Sequence, residues 1–151
     1  MSNLPSLVSI EFGAWCFGGY SYGERRIYGG ASSFSLIDLP QLQSVKLGDE
    51  AFRYTNSFAM SNLPSLVSIE FGQRCFGGYI KYGDMYGGAS SFSLIDLPQL
   101  QSVKLGNEAF RRTRPFAMSN LTSLVSIEFG QWCFGGSDIY GGGASSFSLI
   151  G

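Results

Sequence analysis

Two stretches of this chain match each other without a gap, FSLIDLPQLQSVKLGDEAF at residues 34–52 and FAMSNLPSLVSIEFGQRCF at residues 58–76. Both fit the frame F-S/A-L/M-x-D/N-L-P-x-L-x-S-I/V-x-L/F-G-x-x-A/C-F. A unit that recurs in this way predicts stacked supersecondary units, each contacting its neighbours, instead of one irregular core. The central part of the frame occurs in five copies, which start at Asn3, Asp38, Asn62, Asp96 and Asn120.

The repeats alternate between short and long turns, and together they predict a single solenoid domain of about five stacked turns. The chain begins and ends inside a repeat, which predicts a window of a longer array or a subunit that stacks end to end. Direct stacking of identical copies would set Glu128 beside Glu11, and this like-charge contact favours the longer array. The predicted boundaries are a truncated long turn at 1–33, short turns at 34–57 and 92–115, long turns at 58–91 and 116–146, and the start of a sixth copy at 147–151.

One part of the repeat resembles a known family. The spacing L-x-x-L-x-x-V-x-L at residues 39–47, followed by G-x-x-A-F at 48–52, resembles the leucine-rich repeat and is similar to the BspA-like leucine-rich repeats of microbial surface proteins. The resemblance implies a repeat solenoid of the α/β-type leucine-rich-repeat class, mostly short parallel β-strands plus loops. It also implies an extracellular or cell-surface location. The long Gly/Tyr-rich extensions of the long turns depart from the family's pattern.

The apolar pattern predicts both the strands and the core. Within residues 42–47, Val45 and Leu47 alternate with Ser44 and Lys46, the period-two pattern of a half-buried strand. One such strand from each turn predicts a parallel sheet with a strand spacing of about 4.8 Å. All the phenylalanines fall on three repeat phases, which predicts stacked aromatic columns in the core. These phases are Phe34, Phe58, Phe92, Phe116 and Phe147; Phe17, Phe52, Phe76, Phe110 and Phe134; and Phe12, Phe71 and Phe129.

The composition excludes several classes of function. The chain contains no His, which removes Ser-His-Asp and Cys-His nucleophiles and His-ligated metal sites. Its net charge of −1 gives no signal for nucleic-acid binding, and no apolar run is long enough to span a membrane. A hydrolase using Asp38 or Asp96 is disfavoured because Asn fills the same slot in the other copies. We therefore predict no catalytic, cofactor-binding or metal-binding residues.

The cysteines are predicted to be small core residues. Cys16, Cys75 and Cys133 occupy the phase that Ala51 and Ala109 hold in the short turns. Successive cysteines lie two turns apart, roughly 10 Å by strand spacing, whereas a disulfide needs Cα atoms within about 7 Å. The spacing therefore predicts free thiols with no intramolecular disulfide.

One outward strand position alternates in charge from turn to turn. On a parallel sheet these side chains project from one face as a ladder, in which opposite neighbours contribute roughly 0.2–1 kcal/mol per pair. The ladder is interpreted as mutual neutralisation that fixes strand register, or as a binding face for a periodic partner such as a polymer or another fibre. This candidate interaction face is Glu11, Lys46, Glu70, Lys104 and Glu128.

The extensions of the long turns are the second candidate surface. They differ from one another in length and charge, and they are rich in Gly and Tyr. Tyrosine is favoured at interfaces, although a tolerant loop on the side opposite the sheet explains the same composition. The candidate interaction loops carry Tyr20, Tyr22, Tyr28, Tyr79, Tyr82, Tyr86 and Tyr140.

Together these features predict a non-enzymatic structural or scaffold protein. Its predicted partner is itself, by end-to-end or lateral assembly, or a repetitive surface, because a face with the same residues in every turn cannot encode an irregular ligand. The alternative is a cell-surface adhesin or recognition module that binds protein or glycan. The sequon at Asn120, followed by Leu121 and Thr122, matters for glycosylation only if the chain is secreted.

Overall fold

The computed structural model describes residues 4–22, 26–30, 33–81, 84–86, 91–111, 113, 116–134 and 147–150. These residues form strands and turns without a helix. The described ranges accordingly contain no helix long and apolar enough to cross a membrane.

The strands of the described residues are numbered in chain order. They are β1 (Ser9–Phe12), β2 (Gly18–Tyr22), β3 (Arg26–Gly30), β4 (Ser33–Ile37), β5 (Ser44–Leu47), β6 (Ser57–Ser61), β7 (Ser68–Phe71), β8 (Tyr79–Lys81), β9 (Asp84–Tyr86), β10 (Ser91–Ile95), β11 (Ser102–Leu105), β12 (Phe116–Ser119), β13 (Ser126–Phe129) and β14 (Phe147–Ile150).

The first sheet contains the strands that the alternating pattern predicts. Its five parallel strands lie in the order β1-β5-β7-β11-β13. Val45 and Leu47 are each 1% exposed, whereas Lys46 between them faces solvent. Neighbouring strands pair the same repeat positions, for example Val45 with Ile69. The parallel sheet and its register are therefore confirmed.

A second sheet is built from the segment that opens each repeat, and the sequence analysis did not predict it. Its five parallel strands lie in the order β4-β6-β10-β12-β14. In β4, Phe34 and Leu36 are buried while Ser33 and Ile37 are exposed, so this segment has the same period of two. The chain passes from the second sheet to the first through a tight turn, closed in one repeat by a hydrogen bond from Leu42 N to Leu39 O at 3.2 Å.

Two of the long-turn extensions are antiparallel hairpins, which corrects their interpretation as loops. Strands β2 and β3 pair with Tyr20 opposite Tyr28, and strands β8 and β9 pair with Tyr79 opposite Tyr86. Glycine favours a loop, but these segments also contain Tyr and Ile, which are enriched in strands and allow pairing.

The aromatic columns fill the space between the two large sheets. Phe52 and Phe76 stack with ring centroids 5.4 Å apart, and Phe76 and Phe110 with centroids 4.8 Å apart. The prediction of burial is correct inside the structure and wrong at its outermost repeats. Phe17 is 53% exposed and Phe129 48% exposed, because no described residue covers the outer side of these repeats.

Glycine forms a further column at the corner that follows each strand of the first sheet. A Cβ added at Gly72 would lie 2.6 Å from the carbonyl carbon of Gly48, and a Cβ at Gly106 would lie 2.6 Å from that of Gly72. Real Cβ atoms do not approach backbone so closely, so each of these glycines is required by the backbone of the repeat before it. A Cβ at Gly13 has nothing within 4 Å.

Candidate interaction surfaces

The structure brings the predicted charge ladder together. The strand register places Glu11 beside Lys46, Lys46 beside Glu70, and Lys104 between Glu70 and Glu128. The Nζ of Lys46 lies 3.9 Å from Oε2 of Glu70, with both side chains about half exposed. Exposed pairs of this kind contribute little individually to stability, and the ladder gives the face an alternating charge.

Two further columns lie beside the ladder on the same part of the molecule. One is uniform, since every strand of the first sheet begins with serine. The other alternates between Val and Gln, and Val8 is 47%, Val67 37% and Val125 84% exposed. The face therefore repeats one short pattern along the sheet.

The Asp/Asn slot forms hydrogen bonds between neighbouring repeats. Nδ2 of Asn62 donates to Oδ1 of Asp38 at 2.6 Å, and Nδ2 of Asn120 donates to Oδ1 of Asp96 at 2.6 Å. Asp38 and Asn62 also line a shallow open depression, but their polar groups bond to each other there. These residues have φ between 53° and 56°, a region in which Asp and Asn are enriched.

The cysteines are free thiols, as predicted. Cys75 is fully buried and its Sγ donates to the carbonyl of Gly48 at 3.0 Å, while Cys133 makes the equivalent contact to Gly106 at 3.0 Å. Burial raises the pKa of the Cys75 thiol to about 12 and also raises the pKa of Cys133. A raised pKa keeps the Cys75 thiol protonated at neutral pH.

A second charged column was missed by the sequence analysis. It occupies the third position of the G-x-x-A/C-F motif, where Arg74 lies between two carboxylates. Arg74 approaches Glu50 at 3.5 Å and Glu108 at 3.3 Å. The Glu108 carboxylate is the main cause of a raised Arg74 pKa. The complete column is Trp15, Glu50, Arg74, Glu108 and Trp132.

The ends of this column are aromatic and exposed. Trp15 is 60% and Trp132 54% exposed. Arg53 lies 5.9 Å from the ring centroid of Trp15, pairs with Glu50, and donates from Nε to the carbonyl of Gly78 at 2.9 Å. The alternation of Glu with Arg at this motif position was the sequence signal that could have revealed the column.

The described residues include the backbone of most of the tyrosines that were predicted as an interaction surface. The backbones of Tyr20, Tyr22, Tyr28, Tyr79 and Tyr86 lie in the hairpin strands. Tyr82 and Tyr140 lie outside the described residues. The tyrosines therefore remain a prediction as an interaction surface.

The described residues contain no group of three or more Cys, Asp or Glu side chains that could hold a metal ion. Comparison with protein-family models, with curated proteins and with solved structures finds no match to this chain.

Proposed function

We propose that this chain is a leucine-rich-repeat solenoid that serves as a non-enzymatic structural module and self-associates into a fibre or extended array. The observation that carries the proposal is the contrast between inner and outer turns. Phe71 is 1% exposed, whereas Phe129, at the same repeat position on the outermost strand, is 48% exposed. An exposed apolar surface of this kind marks an interaction site.

The uniformity of the face supports the same role. Along the first sheet, the outward positions carry serine in one column and alternating Glu and Lys in the next. A repetitive face suits scaffolding or assembly, since recognition of an irregular ligand requires different side chains at equivalent positions.

The alternative proposal is a cell-surface adhesin or recognition module, and the hairpins favour it. The β2–β3 hairpin has five-residue strands, and the β8–β9 hairpin has three-residue strands. The strands of the first sheet in the long repeats all have the sequence SIEF. The hairpins are therefore the part of the chain that differs between otherwise equal repeats.

Negative-stain electron microscopy of the purified chain, over a range of concentrations, separates the two proposals. Filaments or ordered arrays are the expected result. Dispersed particles of one chain at every concentration contradict the structural proposal, and such particles with measurable glycan or protein binding favour the adhesin.

A further inference from the structure

Successive turns are joined by the same backbone hydrogen bonds along the molecule. Between the first two turns, Gly48 N donates to Phe12 O at 2.8 Å and Phe52 N donates to Cys16 O at 2.8 Å. One bond runs the other way, from Trp15 N to Asp49 O at 2.9 Å. The direction of each bond is the same at every later junction, so each turn has one donor-rich side and one acceptor-rich side.

The two outermost turns carry complementary halves of this pattern. At the β1 edge, the amides of Gly13 and Phe17 have no such acceptor among the described residues. At the β13 edge, the carbonyls of Phe129 and Cys133 have no such donor in the same part of the chain. Inside the molecule, amides at the repeat positions of Gly13 and Phe17 donate to carbonyls at the repeat positions of Phe129 and Cys133. The two edges therefore offer matching donors and acceptors.

The strongest observation is the glycine at position 13. A Cβ at Gly130 would lie 2.5 Å from the carbonyl carbon of Gly106, so the fold itself requires glycine there. A Cβ at Gly13 would meet nothing within 4 Å. The isolated fold tolerates a side chain at Gly13, whereas a turn stacked against it does not.

We propose that the β1 edge of one copy stacks on the β13 edge of a second copy, with Gly13 against Gly130 of that copy. This inference rests on the proposed self-association and names its contact. Such a contact is heterologous, and repetition of it generates an open filament. The exposed Phe17 and Trp15 of one copy would then meet the exposed Phe129 and Trp132 of the second copy.

The second sheet is compatible with the same junction. The second sheet has β4 at one edge and β14 at the other, whereas the first sheet has β1 and β13 at its edges. The second sheet therefore begins one repeat later along the chain and ends one repeat later. Each sheet contains five strands. One shift of five strands therefore continues both sheets, pairing β13 with β1 and β14 with β4 of the next copy.

The charge ladder opposes the junction, and the salt dependence of assembly is a second test of it. Stacking places Glu128 beside Glu11 of the next copy, a like-charge contact that salt weakens. Assembly should therefore strengthen as salt is added. Glu128→Lys should strengthen assembly at low salt, and it should destabilise the chain itself because Lys104 is the neighbour of residue 128.

The test is sedimentation velocity on the wild-type chain, Gly13→Ala and the control Gln99→Ala, with a denaturant melt of each. Gln99 is exposed in the turn between β10 and β11 and belongs to neither edge strand, so its variant should assemble as the wild type does. Gly13→Ala should keep the wild-type melting midpoint and require at least about tenfold higher concentration to assemble, equivalent to about 1.4 kcal/mol.

Each other outcome overturns the inference. If Gly13→Ala assembles as the wild type does, the junction is wrong while the proposed self-association stands. If Gly13→Ala unfolds, the glycine serves the chain's own fold. If the wild type never assembles, the junction and the proposed function both fail.

Discussion

Left-handed backbone conformations mark three positions of the repeat. Among the described residues, every non-glycine residue with positive φ falls on the Asp/Asn slot or on the third or fifth position of G-x-x-A/C-F. Asp and Asn tolerate this region, but a phenylalanine such as Phe52 (φ 55°) does so at a cost. Phe52 is 2% exposed, so burial of its ring offsets that cost.

Phe52→Ala should destabilise the chain by about 3–5 kcal/mol through lost transfer energy and a residual cavity. Phe17→Ala is the matched control, because Phe17 has the same repeat position and φ of 54° but is 53% exposed. Denaturant melts measure both. A loss below about 1 kcal/mol for Phe52→Ala, or equal losses in the two variants, contradicts the proposed packing.

The buried Cys75 thiol predicts a specific pH dependence. Burial raises its folded-state pKa to about 12, above the unfolded value near 9.0, so the folded state favours the protonated form. The contribution of the protonated thiol to the free energy of unfolding is complete below pH about 9. It is lost as pH rises towards 12, by up to about 1.4 kcal/mol per pH unit. The difference in unfolding free energy between wild type and Cys75→Ala, measured from pH 8 upwards, should shrink over this range. A constant difference contradicts the burial of the thiol.

At the scale of elements, the strands of the first sheet pair so that the same repeat positions lie side by side. The sequence predicts this register, because apolar and polar residues alternate around Lys46 along the strand. Residues at one repeat position must therefore share one face of a parallel sheet. The second sheet escaped prediction, since its opening segment is short and its apolar residues were assigned to the core without a strand.

Lys46→Glu tests the ladder directly. The substitution sets a carboxylate between Glu11 and Glu70 on adjacent strands, and it should lower the unfolding free energy by roughly 0.5–2 kcal/mol at low salt. The loss should shrink at about 1 M salt, where the screening length is about 3 Å. Lys46→Gln is the neutral control. An equal loss at both salt concentrations shows a steric effect and not an electrostatic one.

At the scale of the whole molecule, repetition made most of the fold predictable and its surfaces only partly so. The parallel sheet, the free cysteines and the charge ladder all follow from residues that recur at one phase. The exposure of Phe17 and Phe129 does not follow in this way, because the position of a residue within its repeat cannot distinguish an inner repeat from an outer one. The strands of the hairpins β2–β3 and β8–β9 were also not predicted, since the glycines in and around them are typical of loops.

The most direct test of the structural role is the axial rise per chain in assembled material, measured by electron cryo-microscopy. Five strands at about 4.8 Å predict filaments with strands perpendicular to the axis and a rise of about 24 Å per chain. Single 16.4 kDa chains at every concentration, or filaments whose strands do not repeat at about 4.8 Å along the axis, would contradict the account.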